Sequence, residues 1–434
     1  MSSFQIGICG LVVLVALISL RAPIALAMAV TGLGGVWLLR DLTTVNFLLG
    51  TVPSDVLGNY SLSTLPLFIL MGNVAARGGM STMLFDAINW LFGRFRGGLA
   101  ISTVVASGAF SAAAGSSLAT TSAMSRVAAP EMLARGYHPR LVSGSMVAGG
   151  TLGIMIPPSA MMIIYGFLTE TSIGALFIAG ILPGILLIAA FCLVVSVWVR
   201  VAPGQAPAAG RPDGDGWSQM LRLGPVLLLF CVLMGGIYTG LFTPTEGAAV
   251  GAGAAVLICL VTGQIDRRGL VAALVETAES SIVIYLIILG TGFFQFFMEA
   301  SRVPVELTDA VIGLGLGPIG TMLMIMVFLA LLGCIMEGLG ILFLTVPILF
   351  PIVLALGFDP IWFGVMMVLL IELGLITPPV GLNIFVLTSL VEKIDLKEAF
   401  IGVLPFVLAI IAVALLLLAV PEIATFLPSQ MRGA

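Results

Sequence analysis

Long apolar runs separated by short polar punctuation set the pattern of this chain. Runs of about 17 to 25 residues suit helices that cross a bilayer. They predict full spans at 4–20, 23–39, 60–77, 141–165, 173–199, 222–242, 245–262, 280–300, 361–388 and 400–420. Two further stretches, 98–129 and 318–356, are apolar but interrupted midway by small or polar residues. Each is expected to enter and leave on one side as a re-entrant hairpin. Stretches 41–57 and 263–278 mix apolar and charged positions and are expected to lie along the interface.

Composition agrees with lipid as the solvent. Of 434 residues 60% are hydrophobic and 9% charged, against roughly 25% charged in soluble domains. A net charge of −4 without a basic patch excludes a nucleic-acid partner. The cysteines Cys9, Cys192, Cys231, Cys259 and Cys334 all lie in apolar runs, with neither metal-ligand nor disulfide spacing. His138 is the only histidine, which argues against a histidine-built metal centre or triad. There is no phosphate-binding loop. Met1-Ser2-Ser3 runs directly into the first apolar segment, so a retained span is expected in place of a cleaved leader.

Orientation follows from basic residues, which concentrate on the cytoplasmic side. With the N-terminus outside, three of the 17 basic residues (Arg40, Arg302, Arg432) fall outside and the remaining fourteen inside. This holds if hairpin 98–129 opens inward and hairpin 318–356 outward.

The chain also matches itself at a shift of 221 residues. Pro23 meets Pro244, Gly32 meets Gly253, and Gly136 to Pro139 meets Gly357 to Pro360. Gly153 meets Gly374, Pro157-Pro158 meets Pro378-Pro379, and Ser116 meets Glu337. The topology makes these repeats inverted, as in many secondary transporters. The expected architecture is an all-α polytopic membrane protein of two inverted repeats, with about ten spans plus two re-entrant hairpins. Repeat one covers 1–200 (scaffold spans 1–77, hairpin 98–129, broken span 141–165). A cytoplasmic linker, 201–221, carries Pro203, Pro207 and Pro212. Repeat two covers 222–421 (scaffold spans 222–300, hairpin 318–356, broken span 361–388), followed by a periplasmic tail, 422–434.

Chemistry concentrates where the repeats coincide. A double proline inside a span removes two amide donors. Carbonyls around Gly153 and Gly374 should then lack partners, which lipid tolerates only if something else satisfies them. A dehydrated Na⁺ is a hard cation that does so. Candidate Na⁺ ligands are Ser116, Ser117, Gly153 and Pro157 in repeat one, and Gly333, Glu337, Gly374, Thr377 and Pro378 in repeat two. Half-helices that begin after the breaks turn positive dipole ends inward and suit an anion. Gly115, Pro158, Ser159, Gly338, Pro379 and Asn383 are the candidate substrate contacts. The alternative is a pair of plain kinks packed on their neighbours. Glu337 and Glu372 lie deep in apolar stretches, where acids mark function by default. Glu337 could ligate Na⁺, bind substrate or cap a helix, whereas Asn383 and nearby backbone could satisfy Glu372 structurally.

The hairpin tip Ser111–Ser117, the break Gly149–Ser159, the stretch Gly333–Pro351 and the run Gly374–Asn383 resemble the large membrane (DctM-type) subunit of TRAP transporters, the tripartite ATP-independent periplasmic systems. The resemblance covers essentially the whole chain. It implies a scaffold with an elevator-type transport domain, Na⁺ as coupling ion with no other cofactor, and symport of a carboxylate across the bacterial inner membrane. It also implies two partners, a small four-helix membrane subunit and a periplasmic substrate-binding protein. Family members carry dicarboxylates, sialic acid, sugar acids, 2-oxo acids, amino acids and ectoine-type solutes. A stand-alone Na⁺/carboxylate symporter of the same architecture is the alternative. An intramembrane enzyme is disfavoured, because no nucleophile has a paired base.

Overall fold

The computed structural model describes residues 2–207 and 216–431. Arg211 and Pro212 of the expected linker and Arg432 of the expected tail lie outside the described residues. Among the described residues all regular structure is helical. The first half comprises α1 (Ser3–Ser19), α2 (Ile24–Leu39), α3 (Leu42–Leu57), a tight turn at Tyr60–Ser63, α4 (Thr64–Arg77) and α5 (Met80–Phe92). It continues with α6 (Gly98–Ala114), α7 (Ser117–Ala134), α8 (Pro139–Met155), α9 (Ala160–Thr169) and α10 (Ile173–Val201). The second half comprises α11 (Gly216–Tyr238), α12 (Pro244–Val261), α13 (Arg267–Ser301), α14 (Val303–Gly313) and α15 (Gly317–Gly333). It ends with α16 (Gly338–Ala355), α17 (Pro360–Leu375), α18 (Leu382–Leu390), α19 (Leu396–Ala419) and α20 (Glu422–Ser429).

The 221-residue shift holds helix by helix. Added to the bounds of α6 through α10 it gives 319–335, 338–355, 360–376, 381–390 and 394–422, which overlie α15 through α19. Local chemistry repeats as well. His138 and Asp359 each cap the following helix by accepting an amide, from Arg140 at 3.2 Å and from Ile361 at 2.8 Å. Such a cap satisfies a donor that the first helical turn leaves free. Gly136 and Gly357, in the turns before these caps, share φ of 80°, open to glycine without strain. Both Pro-Pro bonds are cis.

Two contacts fix the relative direction of the broken spans. The start of α8 meets the start of α19, where Arg140 makes a paired ion bridge to Glu398 at 2.6 and 3.1 Å. The end of α9 meets the start of α17, where the Tyr165 hydroxyl donates to the Pro360 carbonyl at 2.7 Å. The α8–α9 path therefore runs opposite to α17–α18, as inverted repeats require. Hairpin α6–α7 has both outer ends near α8's start, since the Leu99 amide donates to the Tyr137 hydroxyl at 3.3 Å. Arg96, bonded to the Pro203 carbonyl, gathers at the same end. That end gathers Arg96, Arg135 and Arg140, three of the basic residues expected inside.

Three expectations need correction. The interfacial stretch 263–278 and the span 280–300 form one helix, the 35-residue α13. Its polar stretch around Glu276 to Ser281 holds neither Gly nor Pro, and Glu276 is answered by Arg77 at 2.9 Å. Nothing there stops a helix. Helices α5 and α14 were not anticipated, because at 13 and 11 residues they are too short to read as spans. Residues Glu422–Ser429 of the expected tail are helical and pack on α10 and α17.

Helices α2 and α13 approach backbone to backbone. A Cβ added at Gly32 would lie 2.6 Å from the Phe294 amide nitrogen, whereas one at Gly34 would meet nothing within 4 Å. Close approach through small residues drives association where lipid removes the hydrophobic incentive. Gly32→Val should destabilise the protein by about 1–3 kcal/mol, read as a lowered unfolding midpoint in detergent. Gly34→Val should leave the midpoint unchanged, and equal effects would deny the close packing.

Candidate functional site

Four chain interruptions converge. Hairpin α6–α7 turns at Gly115 and Ser116, with Gly115 at φ of 60°, a left-handed turn that a side chain would strain. The Ser116 hydroxyl accepts the Ala119 amide at 3.4 Å and caps α7. This tip rests on the first break. A Cβ at Gly153 would stand 2.8 Å from Ser117 Cα, and one at Gly115 would stand 3.0 Å from the Pro158 carbonyl oxygen. Hairpin α15–α16 rests on the second break in the same way, with a Cβ at Gly333 2.6 Å from Gly374 Cα. Gly338 touches Met161 of α9 and Ile371 and Leu375 of α17, which ties the second tip to both breaks.

The breaks are built from missing donors. In an unbroken helix the carbonyls of Gly153 and Ile154 would accept from residues 157 and 158, and both are proline. After the break Ser159 caps α9 by accepting the Met162 amide at 3.4 Å. The second break departs from expectation at Gly374. Its carbonyl accepts the Thr377 amide at 3.0 Å, so a tightened last turn satisfies it. The Thr377 hydroxyl donates to the Leu373 carbonyl and keeps its lone pairs. Leu375 precedes Pro379 by four residues and keeps the donor-free carbonyl.

A cavity of about 770 Å³ opens beside the tips. Gly115, Ser116, Ser117, Glu337 and Gly338 line it at the tips. Phe68, Gly72, Asn73 and Ala76 of α4 and Ser280 and Ile284 of α13 form the opposing wall. The mouth carries Arg77, Glu276 and Arg126. Asn73 is held by a 3.0 Å bond to the Thr277 hydroxyl. Glu337 sits at the head of α16 without a side-chain cap bond, so its carboxylate is left to the cavity. Arg126, on α7, is exposed and makes no ion bridge among the described residues.

The sequence-based candidates therefore divide. Gly115, Ser116, Ser117, Glu337 and Gly338 line the cavity. Gly153, Gly333 and Gly374 lie behind the tips as contact points. Pro157, Pro158, Ser159, Thr377, Pro378, Pro379 and Asn383 do not line it. Asn383 is fully buried, as is Glu372, and neither side chain has a hydrogen-bond partner among the described residues. The expected satisfaction of Glu372 by Asn383 or backbone does not occur. Sequence reasoning missed the α4 and α13 wall, and it counted Arg126 only among the basic residues of the cytoplasmic side. The cue for Arg126 is its place on the second arm of a re-entrant hairpin.

The family model for the tripartite ATP-independent periplasmic transporter, DctM component, matches residues 11–423. The chain belongs to the DctM family. Among DctM relatives, the C4-dicarboxylate TRAP transporter large permease of Pseudomonas aeruginosa is 36% identical over 86% of this chain and 87% of its own. The Rhodobacter capsulatus protein of the same description is 31% identical over 96% and 98%. The sialic acid TRAP large permease of Vibrio cholerae is 31% identical over 91% and 92%. The Alcanivorax borkumensis YdaH transporter, a solved structure described as having an unusual topology, shares the fold. Its TM-score is 0.65 at 14% identity, over 88% of this chain and 89% of that one. DctM chains are transporter permeases, and this one is a multi-pass bacterial membrane protein with several helices long and apolar enough to span.

Proposed function

We propose that this chain is the translocating subunit of a Na⁺-driven uptake system for a small carboxylate in the bacterial inner membrane. The observation that carries it is the meeting of two antiparallel broken spans and two opposed hairpin tips around one cavity. In this reading α1–α4 and α11–α13 form a standing scaffold. The hairpins with α8, α9, α17 and α18 form a transport domain that moves along it as an elevator. Na⁺ binds where the tips meet the breaks, with Ser116, Ser117 and the Gly153 carbonyl as ligands in repeat one and Glu337 and Thr377 in repeat two. The residues fit a hard cation, because proline takes the helical donors from the Gly153 and Ile154 carbonyls and the buried Ser117 hydroxyl has no hydrogen-bond partner among the described residues.

An anionic substrate suits the same cavity. The first turns of α7 and α16 open into it, and their amides and dipoles favour negative charge. Arg126 adds a cation that has no acidic partner among the described residues. The named substrates of two relatives, C4-dicarboxylates and sialic acid, are carboxylates. The cavity opens at the basic end, which makes this the inward-facing state, with the anion leaving past Arg126. The partners are a periplasmic binding protein that delivers substrate and a small four-helix subunit against the scaffold.

The test is uptake in proteoliposomes with these two partners under an imposed Na⁺ gradient. Candidate carboxylates are first screened by their stabilisation of the binding protein. Uptake should require both the Na⁺ gradient and the binding protein. Full uptake by this chain alone would instead make it a stand-alone symporter. Glu337→Gln should lower uptake about tenfold or more with an unchanged unfolding midpoint, and wild-type uptake in that variant would make Glu337 structural.

A further inference from the structure

The cavity-facing side of α7 carries a single charge. Ala119, Ser122, Ala123 and Arg126 all line the cavity, at the three- and four-residue steps that mark one face of a helix. On the other side of α7, Thr121, Met124 and Ala128 are fully buried, where the helix packs on α8. A cytoplasmic anchor needs only to reach water or headgroups, whereas Arg126 faces the space between two helix groups. It stands nine residues beyond Ser117, about 13.5 Å along the helix, and its Cβ leans back toward the hairpin tip.

In the elevator reading α7 moves and the opposing wall stands still, so Arg126 must slide along that wall. Counting away from the mouth, α4 presents Ala76, Asn73, Gly72, Ile69 and Phe68, and α13 presents Ser280 and Ile284. None of these is an acid. The acids lining the cavity among the described residues are Glu276 and Glu337. Glu276 is already paired with Arg77 at the mouth, and Glu337 travels at the second tip with Arg126. An unbalanced charge carried through a bilayer is costly, so the moving body crosses readily only when its cavity charges cancel. With Glu337 ionised, Glu337 and Arg126 cancel in the empty body. A Na⁺ at the tips without substrate leaves a positive charge over, and a carboxylate beside Arg126 restores the balance. A carboxylate without Na⁺ leaves a negative charge over. Whatever charge Glu372 carries is common to all these states.

We propose that Arg126 couples the two solutes: its place on the moving face of the cavity holds back a transport domain loaded with Na⁺ alone until an anion sits beside it. This rests on the Na⁺-coupled elevator reading above and adds to it the residue that prevents Na⁺ leak. The same side chain then draws the carboxylate toward the tips and releases the body to move. Arg77 cannot take this part, because it stands on the fixed wall and is matched by Glu276 in every state of loading.

The experiment uses proteoliposomes holding the full chain with its two partners, at clamped membrane potential. It reads ²²Na⁺ release without substrate beside Na⁺-driven carboxylate uptake. Arg126→Gln should raise substrate-free ²²Na⁺ release about tenfold or more while carboxylate uptake falls. Arg126→Lys, which keeps the charge, should hold the leak near wild type. Arg126→Met is a second uncharged variant, for use if the glutamine protein does not fold. Arg94→Gln removes an exposed arginine that does not line the cavity and should change neither reading. A wild-type leak in the folded uncharged variants, or a leak in Arg126→Lys equal to theirs, overturns the proposal. A merely structural arginine would lower uptake without opening a Na⁺ leak. Failure of the wild-type chain to take up carboxylate on a Na⁺ gradient would overturn the Na⁺-coupled function itself, so the two failures are distinguishable.

Discussion

Gly153→Val should abolish Na⁺-driven uptake while the protein still inserts and folds. A Cβ at this position would lie 2.7 Å from the Ser116 carbonyl carbon and 2.8 Å from Ser117 Cα. Both are backbone atoms of the hairpin tip, so no side-chain rotation relieves the contact. The tip must move off the break. Overpacking of this kind costs about 1–3 kcal/mol, which a protein of this size survives. The site does not, because ion ligands hold only to within about 0.2 Å of their distances. Both the Ser116–Ser117 tip and the Gly153 carbonyl would leave register together. Uptake should fall about tenfold or more, and Na⁺-dependent stabilisation should shrink with it. Gly253→Val, at the equivalent of Gly32 and with nothing within 4 Å, should transport normally. Wild-type uptake by Gly153→Val would show that the contact between tip and break is not a working site.

The sequence makes this contact readable because lipid leaves few options. A span must be about 20 residues long and must satisfy its own backbone. Double prolines at 157–158 and 378–379, and small polar residues within two other stretches, then point to breaks and hairpin tips ahead of plain kinks. The helix bounds fall close to those expectations for the same reason. What escaped obeys weaker rules. Helix α13 runs through Glu276 and Glu279, where polarity suggested a boundary, because charge stops a span and does not stop a helix. Helices α5 and α14 are too short for the bilayer to dictate. The cavity wall is harder still to read. Asn73 and Thr277 bond across 204 residues of sequence, and no local pattern in either helix marks the partnership. Asn383 looked like a substrate contact from its place just after the second double-proline break. The structure instead buries it fully where α18 packs on α7, away from the cavity lining.

The second large effect concerns the prolines themselves. Pro157→Ala with Pro158→Ala should eliminate Na⁺-driven uptake and leave the unfolding midpoint unchanged or raised. A proline in a helix interior is about 3 kcal/mol worse than alanine. Replacing both removes the main obstacle to joining α8 and α9 through residues 156–159. The continuous segment Pro139–Thr169 would be 31 residues, or about 46 Å of helix, well beyond the ~30 Å apolar core of a bilayer. Healing would return amide donors to the Gly153 and Ile154 carbonyls and take Ser159 from its cap. The groups freed for an ion would be consumed by the helix, so function falls as local order rises. Pro183 inside α10 gives the contrast. That helix continues through its proline without interruption, and Pro183→Ala should leave uptake close to wild type. Stability and transport thus move in opposite directions at one proline pair, whereas a defect that merely unfolded the protein would lower both. Uptake at wild-type rates by the double-alanine variant would mean that the open backbone at this break binds nothing.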